Sequence, residues 1–109
     1  MVINKTAPVT VFYDTSVLLR VLGCSGRLQE TAALELNRYL QDLGFDTYYF
    51  SGNEAEVAGI LETIIYVKDT GKELEGETAD AIASGEVTLS QIRMLQLAFP
   101  ERLAALNVC

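Results

Sequence analysis

Val9-Thr-Val-Phe-Tyr13, followed at once by Asp14-Thr15-Ser16 and then Val17-Leu-Leu-Arg-Val-Leu22, is the stretch on which the fold turns. Its first five residues are β-branched or aromatic, which predicts a buried strand. Pro8 ahead of them suits the start of a strand, where no ladder donor is needed. Asp14, Thr15 and Ser16 each offer an N-cap oxygen, so a short helix is expected over 17–22. Gly23 to Gly26 stops it.

Working outward, 28–43 is the clearest helix. Ala32, Leu36, Tyr39, Leu40 and Leu43 recur at helical spacing, and Gly44 is a good residue to end on. Residues 45–50 read as a second strand. Ser51-Gly52-Asn53 is expected to turn, with Asn53 capping a helix over 54–68 whose core stripe is Val57, Ile60, Leu61 and Ile64. Strand, helix pair, strand, helix implies parallel strands with helical crossovers, hence an α/β layered fold.

After Lys68 the character changes. Asp69, Glu73, Glu75, Glu77, Asp80 and Glu86 make the segment acidic, and Gly71, Gly76 and Gly85 punctuate it. A loop is expected there, then a short helix over 78–83. Thr88 caps a helix over 89–98, Pro100 opens a last turn over 101–106, and Asn107-Val108 begins a further strand. The chain reads as a single domain over 1–109, with its core in 9–68 and an acidic helical segment in 69–109. Two firm strands make a meagre sheet, so a truncated or domain-swapped unit is expected.

Composition limits the chemistry. The chain has 109 residues, half of them hydrophobic, enough for one packed core. Eight basic against fifteen acidic residues give a formal charge of −7, which opposes loose binding to polyphosphate. A carboxylate cluster loaded with divalent cations offsets part of that charge. The two cysteines, Cys24 and Cys109, make no disulfide framework, and a reducing cytoplasmic setting follows as the expectation. Histidine is absent, which removes Ser-His, Cys-His and His-ligated metal mechanisms. No apolar run approaches the roughly 20 residues that span a bilayer.

Two acids stand where chemistry can happen. Asp14 closes the first strand, and in open parallel sheets ligands bind beyond the carboxyl ends of the strands. It is equally placed to cap the next helix. Glu56 follows the second strand, one turn into its helix, but Asn53 and Glu56 have the spacing of a capping box. Glu54 flanks the same stripe, and periodicity does not choose between the two glutamates. A pair of carboxylates from separate elements suits Mg²⁺ or Mn²⁺, hard ions that take oxygen ligands and retain water. Ser16 adds a hydroxyl, while Arg20, Arg27 and Arg38 are the nearest phosphate contacts; surface solubility explains them as well. Cys24 has no His partner and reads as a structural thiol. Tyr48, Tyr49 and Phe50 could stack bases, although aromatics on a strand are usually core.

Val11-Phe-Tyr-Asp-Thr-Ser-Val-Leu-Leu19 and Leu18-Leu-Arg-Val-Leu-Gly23 resemble the opening strand, turn and helix of PIN domains. Tyr49-Phe-Ser-Gly-Asn-Glu-Ala-Glu-Val57 with Ile60-Leu-Glu62 is similar to the strand, turn and helix that bring the family's second acid, which falls on Glu56. The resemblance covers about 9–66. It implies a three-layer PIN-like fold, a small parallel sheet flanked by helices. It also implies a Mg²⁺- or Mn²⁺-dependent ribonuclease acting on single-stranded RNA, with Asp14 and Glu56 as catalytic metal ligands and Ser16 and Arg20 toward the substrate. The further aspartates of that family have no match here: Asp80 sits in an acidic, Gly-flanked segment. The resemblance therefore implies an incomplete PIN-like unit, working with a protein partner or as a homo-oligomer. The alternative is a non-catalytic interaction or scaffold domain of a larger assembly. A receiver-like domain ranks lower, because the extra acids and later Lys of that class are missing in matching context.

Overall fold

The structure, a computed structural model, describes residues 10–70 and 76–109. Pro8, Val9 and most of the acidic loop expected after Asp69 lie outside the described residues. The element order is β1 (Thr10–Phe12), α1 (Thr15–Val21), α2 (Arg27–Asp42), β2 (Asp46–Tyr48), α3 (Ser51–Thr70), α4 (Glu77–Ala83) and α5 (Leu89–Ala105). This is a mixed α/β chain, mostly helical, around a small parallel sheet.

β1 and β2 run parallel, with Val11 opposite Thr47 and Phe12 opposite Tyr48. Val108 adds a single parallel bridge to Thr47, and the Cys109 N–H donates to the Thr47 carbonyl at 3.0 Å. The strand expected at Asn107-Val108 is thus one bridge long. Alternation along each strand decides what is covered. Tyr13 and Thr47 are buried on the α2 side, while Thr10, Phe12 and Asp46 are exposed and Tyr48 is half-buried on the other. The first strand was expected to be buried throughout. Instead Phe12 is 51% exposed and stacks on Phe50, centroids 4.3 Å apart. Among the described residues this sheet face has no helical cover sufficient to bury it.

The core lies where α1, α3 and α5 meet. Leu18, Leu61, Ile92 and Leu103 are fully buried there, and Val57 joins them. The 57, 61, 64 stripe of α3 faces inward as its spacing predicts, with Ile60 half-buried. α2 behaves differently. Its buried residues are Ala33 and Asn37, whereas Ala32, Leu36 and Tyr39 from the expected stripe are exposed.

α5 does not break at Pro100. It runs as one helix from Leu89 to Ala105, opened by a capping box between Thr88 and Gln91. A proline here costs the hydrogen bond to the Gln96 carbonyl. Gln96 is on the exposed side of the helix. The burial of Phe99 and Leu103 on either side of Pro100 holds the helix together across it.

A polar network ties α2 to the sheet and to the chain's last turn. Tyr13 Oη donates to Asn37 Oδ1 at 2.8 Å, and Asn37 Nδ2 donates to the Leu106 carbonyl at 3.2 Å. Gln41 Nε2 donates to the same carbonyl at 2.8 Å and to Thr47 Oγ1 at 3.2 Å. Asn37 is buried, so its oxygen depends on Tyr13. Replacing Tyr13 with Phe leaves that oxygen only a long 3.4 Å contact from Gln41. Tyr13→Phe should therefore lower stability by about 1–3 kcal/mol in chemical denaturation. An unchanged midpoint would show that the hydroxyl carries none of it.

Candidate functional site

The site begins where β1 ends. The Tyr13 N–H makes the last ladder bond, to the Tyr48 carbonyl at 2.8 Å, and the backbone then turns at Asp14. Asp14 is the N-cap of α1. Its Oδ1 accepts from the Val17 N–H at 3.0 Å and from Ser16 Oγ at 2.9 Å. Both bonds stabilise the charged carboxylate, and Arg20 adds a smaller attraction, so the pKa is held below the ordinary Asp value. Oδ2 takes neither of these two bonds. Capping and ligand roles are therefore compatible, because the cap uses one oxygen only.

Thr15, the first residue of α1, is the link that sequence reading missed. Its Oγ1 donates to Glu56 Oε2 at 2.8 Å and accepts from Asn53 Nδ2 at 3.2 Å. This depends on where α3 starts. The helix opens at Ser51, three residues before the expected start, so Asn53 is not its N-cap. It sits at the third helical position, and its Oδ1 accepts from the Phe50 N–H at 3.2 Å, the back-reaching half of a capping box. Glu56 is freed from any capping role and falls on the second turn, facing Thr15. Glu54 points elsewhere: it lies near Tyr49, whose pKa is raised first by burial and then by Glu54. Geometry thus separates two glutamates that periodicity left equivalent. The carboxylate of Glu56 is anchored to the residue next to Asp14, at the carboxyl end of β1.

Beside this rim lies a cleft of about 760 Å³ between α1, α3 and the start of α4. Ser16, Arg20, Glu56, Ile60, Thr63 and Glu77 line it. Arg20, expected to meet a phosphate, is already engaged: Nη2 lies 2.7 Å from Glu77 Oε1, and Nε 3.1 Å from Oε2. The bidentate pairing draws the Glu77 pKa down. A phosphate reaching Arg20 has to compete with Glu77. Both partners are more than a third exposed, so that competition is mild. Arg27 and Arg38 stand exposed on α2 and do not line the cleft.

No group of three or more Asp, Glu, Cys or His side chains converges among the described residues. Asp80 is exposed on α4. Cys24 is fully buried, and burial pushes its thiol up to about 12, which keeps it protonated and unreactive at neutral pH. Phe50, for which base stacking and core packing were both open, is 59% exposed. No helix among the described residues is long and apolar enough to cross a membrane. Comparison with protein-family models, curated proteins and solved structures finds no match for this chain.

Proposed function

We propose that the chain is a PIN-like, divalent-metal-dependent nuclease domain acting on single-stranded RNA, as part of a longer chain or complex. The observation that supports this reading is the 2.8 Å bond from Thr15 to Glu56, which ties the second acid to the residue that follows the first. The donor set suits Mg²⁺ or Mn²⁺: two carboxylates from different elements. Such ions bind through one or two carboxylates and keep several waters. The ion would supply a bound water of lowered pKa to attack a phosphodiester. Asp14 and Glu56 would hold it, with Thr15 and Ser16 fixing their carboxylates. Ser16 and Arg20 would orient the strand in the cleft, Arg20 after exchanging Glu77 for a phosphate.

The direct test is cleavage of a labelled single-stranded RNA by the full chain in Mn²⁺, in Mg²⁺ and in chelator, beside calorimetric Mn²⁺ titration. Metal-dependent cleavage supports the reading. Absence of both cleavage and Mn²⁺ binding overturns it.

One observation favours a second reading, a non-catalytic interaction domain. The Phe12–Phe50 stack lies on an open sheet face, and the two acids have no third carboxylate beside them among the described residues. Binding of a protein partner with no Mn²⁺ binding would select it.

A further inference from the structure

α2 is apolar on two sides. One side, with Ala33 and Asn37 buried, packs on the protein. The other presents Leu28, 79% exposed, with Ala32, Leu36 and Tyr39, and reaches half-buried Leu43 at the C-cap. At 100° per residue these five fall on one stripe, and it is about 22 Å long. A contiguous apolar stripe of this length on a protein surface marks a contact.

Two features say what covers it. The first is symmetry. Leu28 and Leu43 lie equally far from the stripe's middle, as do Ala32 and Tyr39, and Leu36 is the stripe residue next to that midpoint, which falls between positions 35 and 36. A two-fold axis at that midpoint sets Ala32 of one copy against Tyr39 of the other, small against large, with leucine against leucine at both ends. An isologous interface requires this kind of self-complementarity. The second is charge. One border of the stripe carries Arg27, Glu35, Arg38 and Asp42, so its signs alternate from one end to the other. When two such helices pair antiparallel, identical borders face each other in reverse order. Arg27 then meets Asp42 of the second copy, and Glu35 meets Arg38. Among the described residues none of the four has an ion-pair partner in its own chain.

We propose that the outer face of α2 is a homodimer interface, in which a second copy of this chain packs antiparallel about a dyad beside Leu36. Apolar burial supplies the attraction, and the alternating border fixes the antiparallel direction. Leu36 is exposed within the chain, so changing it leaves the fold untouched while placing two side chains face to face in the dimer.

The test is sedimentation of the full chain over a range of concentrations, with Leu36→Glu and with Leu36→Cys in a Cys109→Ser background. The wild type should sediment as a concentration-dependent dimer and Leu36→Glu as a monomer with unchanged circular dichroism. Under mild oxidation Leu36→Cys should form a covalent dimer, whereas Ser90→Cys, on α5, should not. A wild-type monomer at every concentration would overturn the proposal, as would a dimer that survives Leu36→Glu.

Discussion

Asp14→Asn should abolish metal-dependent RNA cleavage by this chain and leave its fold in place. The two effects separate because Asp14 does two things with different atoms. Its Oδ1 caps α1 through Val17 and Ser16, and Asn offers the same oxygen with equal cap preference. What Asn removes is the charge that would hold the cation. Loss of a charged group at the reacting centre costs about 10²-fold or more in rate. Mn²⁺ affinity should fall in parallel, which calorimetry reads without reference to turnover. Stability at neutral pH should change little. On the acid side the variants should diverge. The depressed Asp14 pKa gives stability that is present above the ordinary Asp value and lost as pH falls through the folded value. Asn has no such titration, so the acid limb of its stability profile should be shallower. Full cleavage by Asp14→Asn would remove Asp14 from the site, whatever Glu56 does.

Leu61→Ala should be among the most damaging single truncations in the core. Leu61 is fully buried on α3, where that helix packs against α5 and α1. Removing its isobutyl group loses transfer free energy and leaves a cavity, together about 2–5 kcal/mol. Small domains have about 5–15 kcal/mol in all, so this is a large fraction. The midpoint should fall by roughly 10–20 °C in thermal unfolding followed by circular dichroism. Leu97→Ala supplies the comparison, since Leu97 is 85% exposed on α5 and its loss should stay within about 0.5 kcal/mol. A Leu61→Ala variant as stable as Leu97→Ala would mean that the three helices do not share one core.

Much of the architecture was legible along the chain. β-branched runs at Val9–Tyr13 and 45–50 marked the strands, and Gly44, with φ near 83°, ends α2 in the left-handed turn that glycine allows. The 57, 61, 64 spacing located the inward face of α3, and both acids of the candidate site were picked out from their places after strands. Other readings went astray for a common reason: each depended on what lay across space. Phe12 and Phe50 carry the same strand signal as core aromatics, but the sheet face they share is left open. Leu36 and Tyr39 recur at helical spacing whether the stripe meets the protein's own core or something outside it. Pro100 is a helix breaker locally, and only the packing of Phe99 and Leu103 keeps α5 continuous.

By itself the sequence determined that this is a mixed α/β chain without histidine chemistry, with one acid just after its first strand and another in the helix that follows its second. Those properties are local, set by side-chain type and period. Only the tertiary structure decided that Glu56 rather than Glu54 bonds to Thr15, the residue after Asp14, and that Arg20 is held by Glu77. A hydrogen bond between positions forty-one residues apart has no signature along the chain; it exists because α1 and α3 pack side by side.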